Sequence, residues 1–515
     1  MGKLFSEKKE NNEAAKRNRI AYLTMICSSF VSLFFCSKCS VIYPFNDWYD
    51  VNLIFTTGKC MMNGDLLYVE LLDHKGPYVF LLFGIAYLIS HTTFLGLFIL
   101  EWVFFFLFLC IIRKTLKLYT DREYLFVYPV ISFIIVTSSA FVHGASTEEF
   151  SFPIIAYAIY LSLKLTKTKD IKFYEAFLAG IFSGILFWSK FTLCGIYLAW
   201  ALIVIFVYAF KKNVGRIFQT AGIYILGCIA ASAPWFLYFA PHRAIPEFLD
   251  SYLFSNILIY NNDTTVRGLR KIPMILSVME TFYFKKGNLF LTFFVFAGLI
   301  GFMILPKKKV SFSEKIVCAF LFFVTNLGVF FRGQAHGYYG LLAAVFLGFF
   351  AISVSLIIEK FVKKDSFFLK PYPAIIAAIL GVGLAFLISD NVYLLKFKKD
   401  DMPQFKFAKI INEYEDRTLL NYRFLDGGVY TILGTMPNVK EYCTVNLNFA
   451  DVVDVQKTYL AEGKTHFVVT WYEFPVEVDK IIEAFPEVAD NYSVVESEIF
   501  YIEGDYRTYT LWIRK

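Results

Sequence analysis

Apolar runs, each about as long as a bilayer crossing, alternate with short polar turns along most of this chain. A helix needs about 20 apolar residues to span a hydrocarbon core. Runs near that length lie at roughly 20–43, 93–112, 124–142, 150–166, 174–190, 191–210, 219–240, 289–305, 315–332, 338–360 and 372–395. One further piece, Tyr78 to Ser90, is apolar but too brief to cross. After about residue 395 the pattern changes and hydrophobicity drops. There "FKFAKIINEYEDR" has helical spacing, "HFVVTWY" reads as a buried strand and "VDKIIEAF" as a short helix. "SEIFYIEGDYRTYTLWIRK" reads as a closing hairpin turned at Gly504. A tail of about 120 residues is long enough to bury its own core as a small α/β domain.

The basic residues sort the runs into sides, because positive charge collects in cytoplasmic loops. Suppose that Tyr78 to Ser90 stays on one side. The N-terminal Lys8, Lys9, Lys16, Arg17 and Arg19 then share a side with Arg113 to Lys117, Lys164 to Lys172, Lys211 to Arg216, Lys307 to Lys309 and Lys360 to Lys364. If the piece crosses, the N-terminal charges face away from every other basic loop. It is therefore read as a juxtamembrane or half-inserted helix. The expected fold is a polytopic α-helical membrane protein of about eleven spans plus juxtamembrane helices. Residues 1–19 form a basic cytoplasmic N-terminus and 20–395 the transmembrane domain, with a first outer loop over 44–92. Residues 396–515 form an extracytoplasmic α/β domain. The first apolar run lacks a small-residue cleavage site and reads as a retained span.

Composition agrees with a lipid setting: 57% of the 515 residues are hydrophobic, 18% are charged, and Phe (60) and Tyr (33) are abundant. The net charge of +7 comes without a basic run interleaved with aromatics, so no nucleic-acid partner is expected. The nine cysteines are scattered and show no metal-ligand spacing.

On this topology the polar outliers fall on the outer side. Asp47, Asp50 and the "DHKGP" stretch, with Asp73, His74 and Lys75, lie in the first outer loop. "STEEF" brings Glu148 and Glu149, "WSKF" brings Lys190, and "RGQAHGYY" brings Arg332, His336, Tyr338 and Tyr339. Ionisable groups at a membrane boundary are costly unless solvated, paired or used. Their shared side suggests one outward-facing polar cavity. Each also has a plainer reading. On residue type Asp50 is a helix N-cap for "VNLIFTTGKCMM". Glu148 and Glu149 read as solvated loop acids or as N-terminal charges on the next helix. Lys75 and Lys190 read as interfacial snorkellers, and His336, Tyr338 and Tyr339 as belt residues. Glu101, inside an apolar run, is expected to be paired or near an interface.

Carboxylates and lysines at an outer face suit a phosphate-linked lipid donor. Lysine meets phosphate as a point charge. A departing lipid phosphate needs no strong general acid, whereas the attacking hydroxyl needs a carboxylate base. Cations then stabilise the charge that develops on the leaving phosphate.

The aspartate ahead of "FTTGK", the downstream "NG", then "DHKGP", "TEEFSFP" and "FWSKF" together resemble bacterial members of the GT-C glycosyltransferase superfamily. The resemblance is to the group related to protein O-mannosyltransferases and aminoarabinose transferases, and it runs from about Phe45 to Tyr339. It implies a GT-C-type fold and an inverting transfer from a polyprenyl-phosphate-linked sugar. By the same resemblance Asp50 is the catalytic aspartate, with Asp47 as runner-up. Lys75 contacts the lipid phosphate, and the pair Glu148-Glu149 has an acceptor or structural role. The chain departs from the group at Val51-Asn52, where many relatives carry small hydroxyl residues.

The expected function is transfer of a sugar to a glycan, lipid or protein acceptor at the outer face of the cell membrane. Asp50 would be the base, and Lys75, Lys190 and Arg332 the phosphate-binding cations. Glu148 and Glu149 would orient the acceptor or a divalent cation. Asp73, His74, His336, Tyr338 and Tyr339 would support the site. The 241–288 loop, with "NILIYNNDTTVRGLRK", would be a lid. The rival is a lipid-linked-glycan transporter or flippase. Transporters usually keep ionisable groups near the midplane, in paired halves, and no such halves are visible here.

Overall fold

The computed structural model describes residues 2–259, 271–285, 288–331, 336–362, 366–446, 451–502 and 505–515. The chain begins with α1 (Gly2–Cys36), α2 (Tyr49–Met62), α3 (Pro77–Ile89), α4 (Leu95–Leu116), α5 (Val127–Val136), the one-turn α6 (Thr147–Phe150) and α7 (Phe152–Thr168). It continues with α8 (Phe173–Lys190), α9 (Gly195–Phe210), α10 (Val214–Phe239), α11 (Ile245–Phe248), α12 (Lys271–Phe284), α13 (Leu289–Ile304) and α14 (Phe312–Val329). The last apolar helices are α15 (Leu347–Phe361), entered through a 3-10 turn over Gly337–Phe346, and α16 (Tyr372–Ile388).

Among the described residues, six helical stretches are long and apolar enough to cross a bilayer: Asn12–Cys36, Leu95–Leu116, Phe173–Phe210, Val214–His242, Phe312–Val329 and Gly337–Phe361. The protein is a multi-pass membrane protein. The run 124–142 differs from its expected single span. Its helix α5 has only 10 residues, about 15 Å, half of a typical hydrocarbon core. Beyond it the backbone turns through positive φ at Val142, Gly144 and Ala145, which no helix tolerates. The helix α3 has 13 residues, about 20 Å.

The region 241–288, expected as a loop and lid, is helical over Ile245–Phe248, over a π-helix at Leu249–Ile259, and over Lys271–Phe284. Its apolar residues drive this: Phe248 stacks on Phe239 at 4.5 Å and on Tyr68 at 5.8 Å. Residues 260–270, which hold most of "NILIYNNDTTVRGLRK", lie outside the described residues, as do Arg332 and the predicted hairpin turn at Gly504.

Two compact units make up the chain. The first combines Met1–Ser40, Leu100–Ser232 and Val266–Val392. It is a helical body whose aromatic side chains interlock, as where Phe302 meets Phe349 at 4.9 Å and Phe322 meets Phe346 at 5.1 Å. The second combines Val41–Ile99, Ala233–Thr265 and Tyr393–Lys515, so the first loop and the tail share one unit.

Within the second unit, α2 lies against α3. A Cβ on Gly58 would come 2.6 Å from the Gly84 nitrogen, so glycine is what permits this approach. The tail carries helix α17 (Pro403–Ile411) and strands β1 (Leu419–Asn421), β2 (Phe467–Tyr472), β3 (Tyr492–Ile502) and β4 (Asp505–Arg514). The sheet order is β1-β2-β4-β3. β1 runs parallel to β2 with Leu419 opposite Phe467, and β4 pairs antiparallel with both neighbours. Leu420, Val468, Ile481, Val488 and Trp512 form its core. The Trp512 indole N–H finds the Thr470 hydroxyl at 2.9 Å, which removes the cost of burying it unpaired. The reading of "FKFAKIINEYEDR" matches α17, that of "VDKIIEAF" a helix at Val478–Ala484, that of "HFVVTWY" β2, and the predicted hairpin strands match the paired β3 and β4.

Candidate functional site

In the second unit the first loop converges on an ion cluster. Asp50 is not the helix cap. Trp48 takes that position, and its N–H is held by the Asn46 side chain at 3.1 Å. Asn52 then donates to the carbonyls of Asn46 (3.0 Å) and Trp48 (2.9 Å). The departure at Asn52 thus stiffens the first turn of α2 and fixes where Asp50 points. The Asp50 carboxylate turns to the "DHKGP" segment, where Lys75 Nζ lies 3.2 Å from its Oδ1.

The local sequence explains how Lys75 gets there. Pro77 opens α3 with its preset φ, and Gly76 before it is extended at φ −74°, ψ 147°. Asp73 ties the turn by accepting from the N–H groups of His74 (2.6 Å) and Lys75 (3.1 Å). The Lys75 carbonyl accepts from the Tyr68 hydroxyl at 2.7 Å, and the His74 carbonyl accepts from Asn256 at 2.7 Å. Lys75 Nζ is also 3.8 Å from Asp73 Oδ1, so the ammonium sits between two carboxylates.

Burial opposes the Lys75 charge, but the Asp73 and Asp50 carboxylates outweigh it and push its pKa up to about 12. Burial also raises the Asp73 carboxyl above its ordinary value, despite Lys75 and the two N–H donors. Asp73 Oδ2 is buried with no hydrogen-bond partner among the described residues. Asp47, the runner-up base, is buried and accepts from the Tyr393 hydroxyl at 3.1 Å.

One partner of Asp50 was invisible in the sequence. Asn446, 396 positions away, donates from Nδ2 to Asp50 Oδ1 at 2.8 Å. Both of these contacts of Asp50 fall on Oδ1. No spacing or residue pattern marks Asn446, because only tertiary packing of the tail brings it to α2.

The first unit holds the other predicted residues. Ser146 caps α6 by accepting from the Glu149 N–H at 3.1 Å. The two buried glutamates then part. Glu148 pairs with Lys190 Nζ at 2.5 Å, and this ammonium also lies 3.8 Å from the Tyr339 ring centroid and 5.3 Å from that of Tyr338. His336 stacks on Tyr338 at 5.8 Å. Glu149 Oε2 accepts from the Ala145 N–H at 3.0 Å, an N–H that also reaches Glu101 Oε1 at 2.6 Å. The Glu101 and Glu149 carboxyls are hydrogen-bonded to each other. Ser37 donates to Glu101 at 2.8 Å, so Glu101 is paired, as its place in an apolar run suggested. Arg332 lies outside the described residues. Among the described residues no group of three or more His, Cys, Asp or Glu side chains is arranged to hold a metal.

Burial, and then the neighbouring Glu101 charge, hold the Glu149 carboxyl well above its ordinary value of 4.5. The folded state therefore keeps a proton that the unfolded chain releases, and stability falls as pH rises from the ordinary pKa toward the raised one. Glu149→Gln keeps a donor toward Glu101 and removes this penalty. Its melting temperature is expected to match wild type near about pH 5 and to exceed it near about pH 8, with a slope of up to about 1.4 kcal/mol per pH unit. Parallel melting curves across that range would contradict the shared proton.

No family model matches the chain, and no curated protein matches it in sequence. Solved structures do match in fold. ArnT from Cupriavidus metallidurans bound to undecaprenyl phosphate superposes with a TM-score of 0.56 at 11% identity, covering 97% of this chain and 98% of that one. The same protein in the apo state gives 0.57 at 10% identity, with 98% of both chains covered. The chain therefore has an ArnT-like fold along nearly all of its length.

Proposed function

We propose that this protein transfers a sugar from a polyprenyl-phosphate carrier to an acceptor hydroxyl on the outer face of the cell membrane, with inversion at the anomeric carbon. The observation that carries the reading is the Asp50–Lys75 pair at 3.2 Å, built into the first loop of an ArnT-like fold. ArnT has been crystallised with undecaprenyl phosphate, and a lipid phosphate is the ligand that Lys75 suits.

In this reading the acceptor hydroxyl meets the Asp50 carboxylate and attacks the anomeric carbon opposite the phosphate. The new glycosidic C–O bond forms as the bond from the anomeric carbon to the phosphate oxygen breaks. The hydroxyl proton passes to Asp50, and the bonding pair leaves with the lipid phosphate. Lys75 faces the growing phosphate charge at low solvent exposure, where a cation acts strongly. Asp73 keeps that ammonium charged and aimed. Purified protein in detergent, given a polyprenyl-phosphate sugar and candidate glycan, lipid and protein acceptors, is expected to release polyprenyl phosphate and glycosylate one acceptor class. Transport needs two compartments, so transfer in detergent supports the enzyme. Specific binding of the lipid without turnover on any acceptor would favour a transporter.

Asn446 follows as a positioning residue. Asn446→Ala removes a hydrogen bond to a charged carboxylate, an interaction of about 1.5–3 kcal/mol. Turnover is expected to fall roughly tenfold or more while KM for the donor stays constant, since the hydrogen bond of Asn446 is to Asp50. A rise in donor KM at constant turnover would count against the assignment. Asn446→Gln, which can still reach with its amide, should recover part of the loss.

A further inference from the structure

A cavity of about 650 Å³ lies in the first unit between α7, α9 and α14, within the range that encloses a small ligand. Phe206, Val207 and Phe210 of α9 face Ile316, Val317 and Phe320 of α14 across it. Phe206 and Phe210 are 58% and 87% exposed, so the cavity opens along an apolar rim. Both walls belong to stretches apolar enough to cross a bilayer. Hydrocarbon is thus the natural content of the cavity.

One end is different. Lys169 at the C-terminus of α7, Lys211 at the C-terminus of α9 and Ser313 in the first turn of α14 also line it. Lys211 Nζ donates to the Lys169 carbonyl at 2.7 Å, which draws the second ammonium to the first helix end. Neither lysine forms an ion pair among the described residues. The adjacent acid, Asp170, is paired with Arg216 at 3.3 Å. Glu314 at the start of α14 is buried, accepting from Tyr119 and Ser311. The mouth therefore presents two ammonium groups with no carboxylate partner among the described residues, beside the N-terminus of α14, which favours an anion, with an apolar slot leading away from them.

We propose that this cavity is a binding site for an anionic phospholipid, with one acyl chain in the slot and the phosphate on Lys169 and Lys211. An open rim suits a two-chain lipid, because one chain is enclosed while the other stays in the bilayer. The proposal does not rest on the transferase reading, since it uses none of the residues assigned to catalysis.

Native mass spectrometry tests it. Full-length protein is released from nanodiscs of equal parts phosphatidylglycerol and phosphatidylcholine, and the retained lipid is identified. Wild type is expected to retain phosphatidylglycerol in preference. The double variant Lys169→Gln, Lys211→Gln should lose that preference roughly tenfold or more, as two surface lysines at about 1 kcal/mol each imply. Val207→Trp, which fills the slot and leaves both lysines in place, should lose the retained lipid altogether. Melting curves establish that each variant is folded, and if the tryptophan variant does not fold the lysine variant decides alone. Equal retention of the two lipids by wild type would overturn the proposal. So would unchanged retention in the folded variants, or a polyprenyl phosphate as the lipid that these substitutions displace.

Discussion

Asp50→Asn is expected to lower sugar transfer by roughly 10²–10⁴-fold, the usual contribution of a positioned general base, with little change in folding or donor binding. The amide has nearly the shape of the carboxylate. Its oxygen still accepts from Asn446, which reaches Oδ1 at 2.8 Å in the native protein. Lys75 keeps Asp73 at 3.8 Å as a counter-charge. What the substitution removes is the ability to take a proton. Turnover at saturating donor should therefore collapse, while the melting temperature and the affinity for a polyprenyl phosphate stay near wild type. Transfer within a few-fold of wild type would remove Asp50 from the mechanism. If Asp47→Asn shows the collapse instead, the role passes to Asp47, which is held by Tyr393.

The turn that carries this cluster is local, but residue type alone read Asp50 as a cap and Lys75 as a snorkeller, and the resemblance of the motifs was what singled the two out. Pro77, Gly76 and Asp73 impose their turn through short-range geometry, and Gly58 marks the close packing of two neighbouring helices. The tail was legible for a similar reason: period-two strands and a helical period survive in a segment that is not uniformly apolar. Three features were not legible. The cap at the start of α2 fell to Trp48 because Asn46 and Asn52 outcompete Asp50 for the local backbone, which residue type alone cannot rank. The run 124–142 looked like a span because hydrophobicity hides a backbone that reverses at Gly144. There a Cβ would come 2.4 Å from Ser37 Oγ and 2.6 Å from a Glu101 oxygen. Asn446 is an ordinary polar residue until the tail folds onto the loop within its unit.

Lys75→Ala is expected to do more damage than any other single change, because it acts on the fold and on the chemistry together. The Lys75 side chain is 17% exposed and those of Asp50 and Asp73 are 11% and 1%, so little water can replace the lost cation. Removing one partner of a buried charge cluster costs about 3–5 kcal/mol, and the lipid phosphate loses its counter-charge as well. Stability and function can be separated by also replacing Asp73 with Asn. In the pair Asp73→Asn, Lys75→Ala one buried carboxylate has gone with the cation, so the melting temperature should recover while transfer and polyprenyl-phosphate affinity stay depressed. Wild-type transfer by the folded double variant would show that Lys75 only holds the loop together. Titration gives an independent check on the same ammonium. Its folded pKa is raised from 10.5 to about 12, so its stabilising contribution is complete below the lower value and is lost as pH rises through the upper one. Wild type should therefore show an alkaline loss of stability confined to that window, and the double variant should lack it. A loss of equal size in both would mean that the ammonium between the two carboxylates is not what holds this loop at high pH.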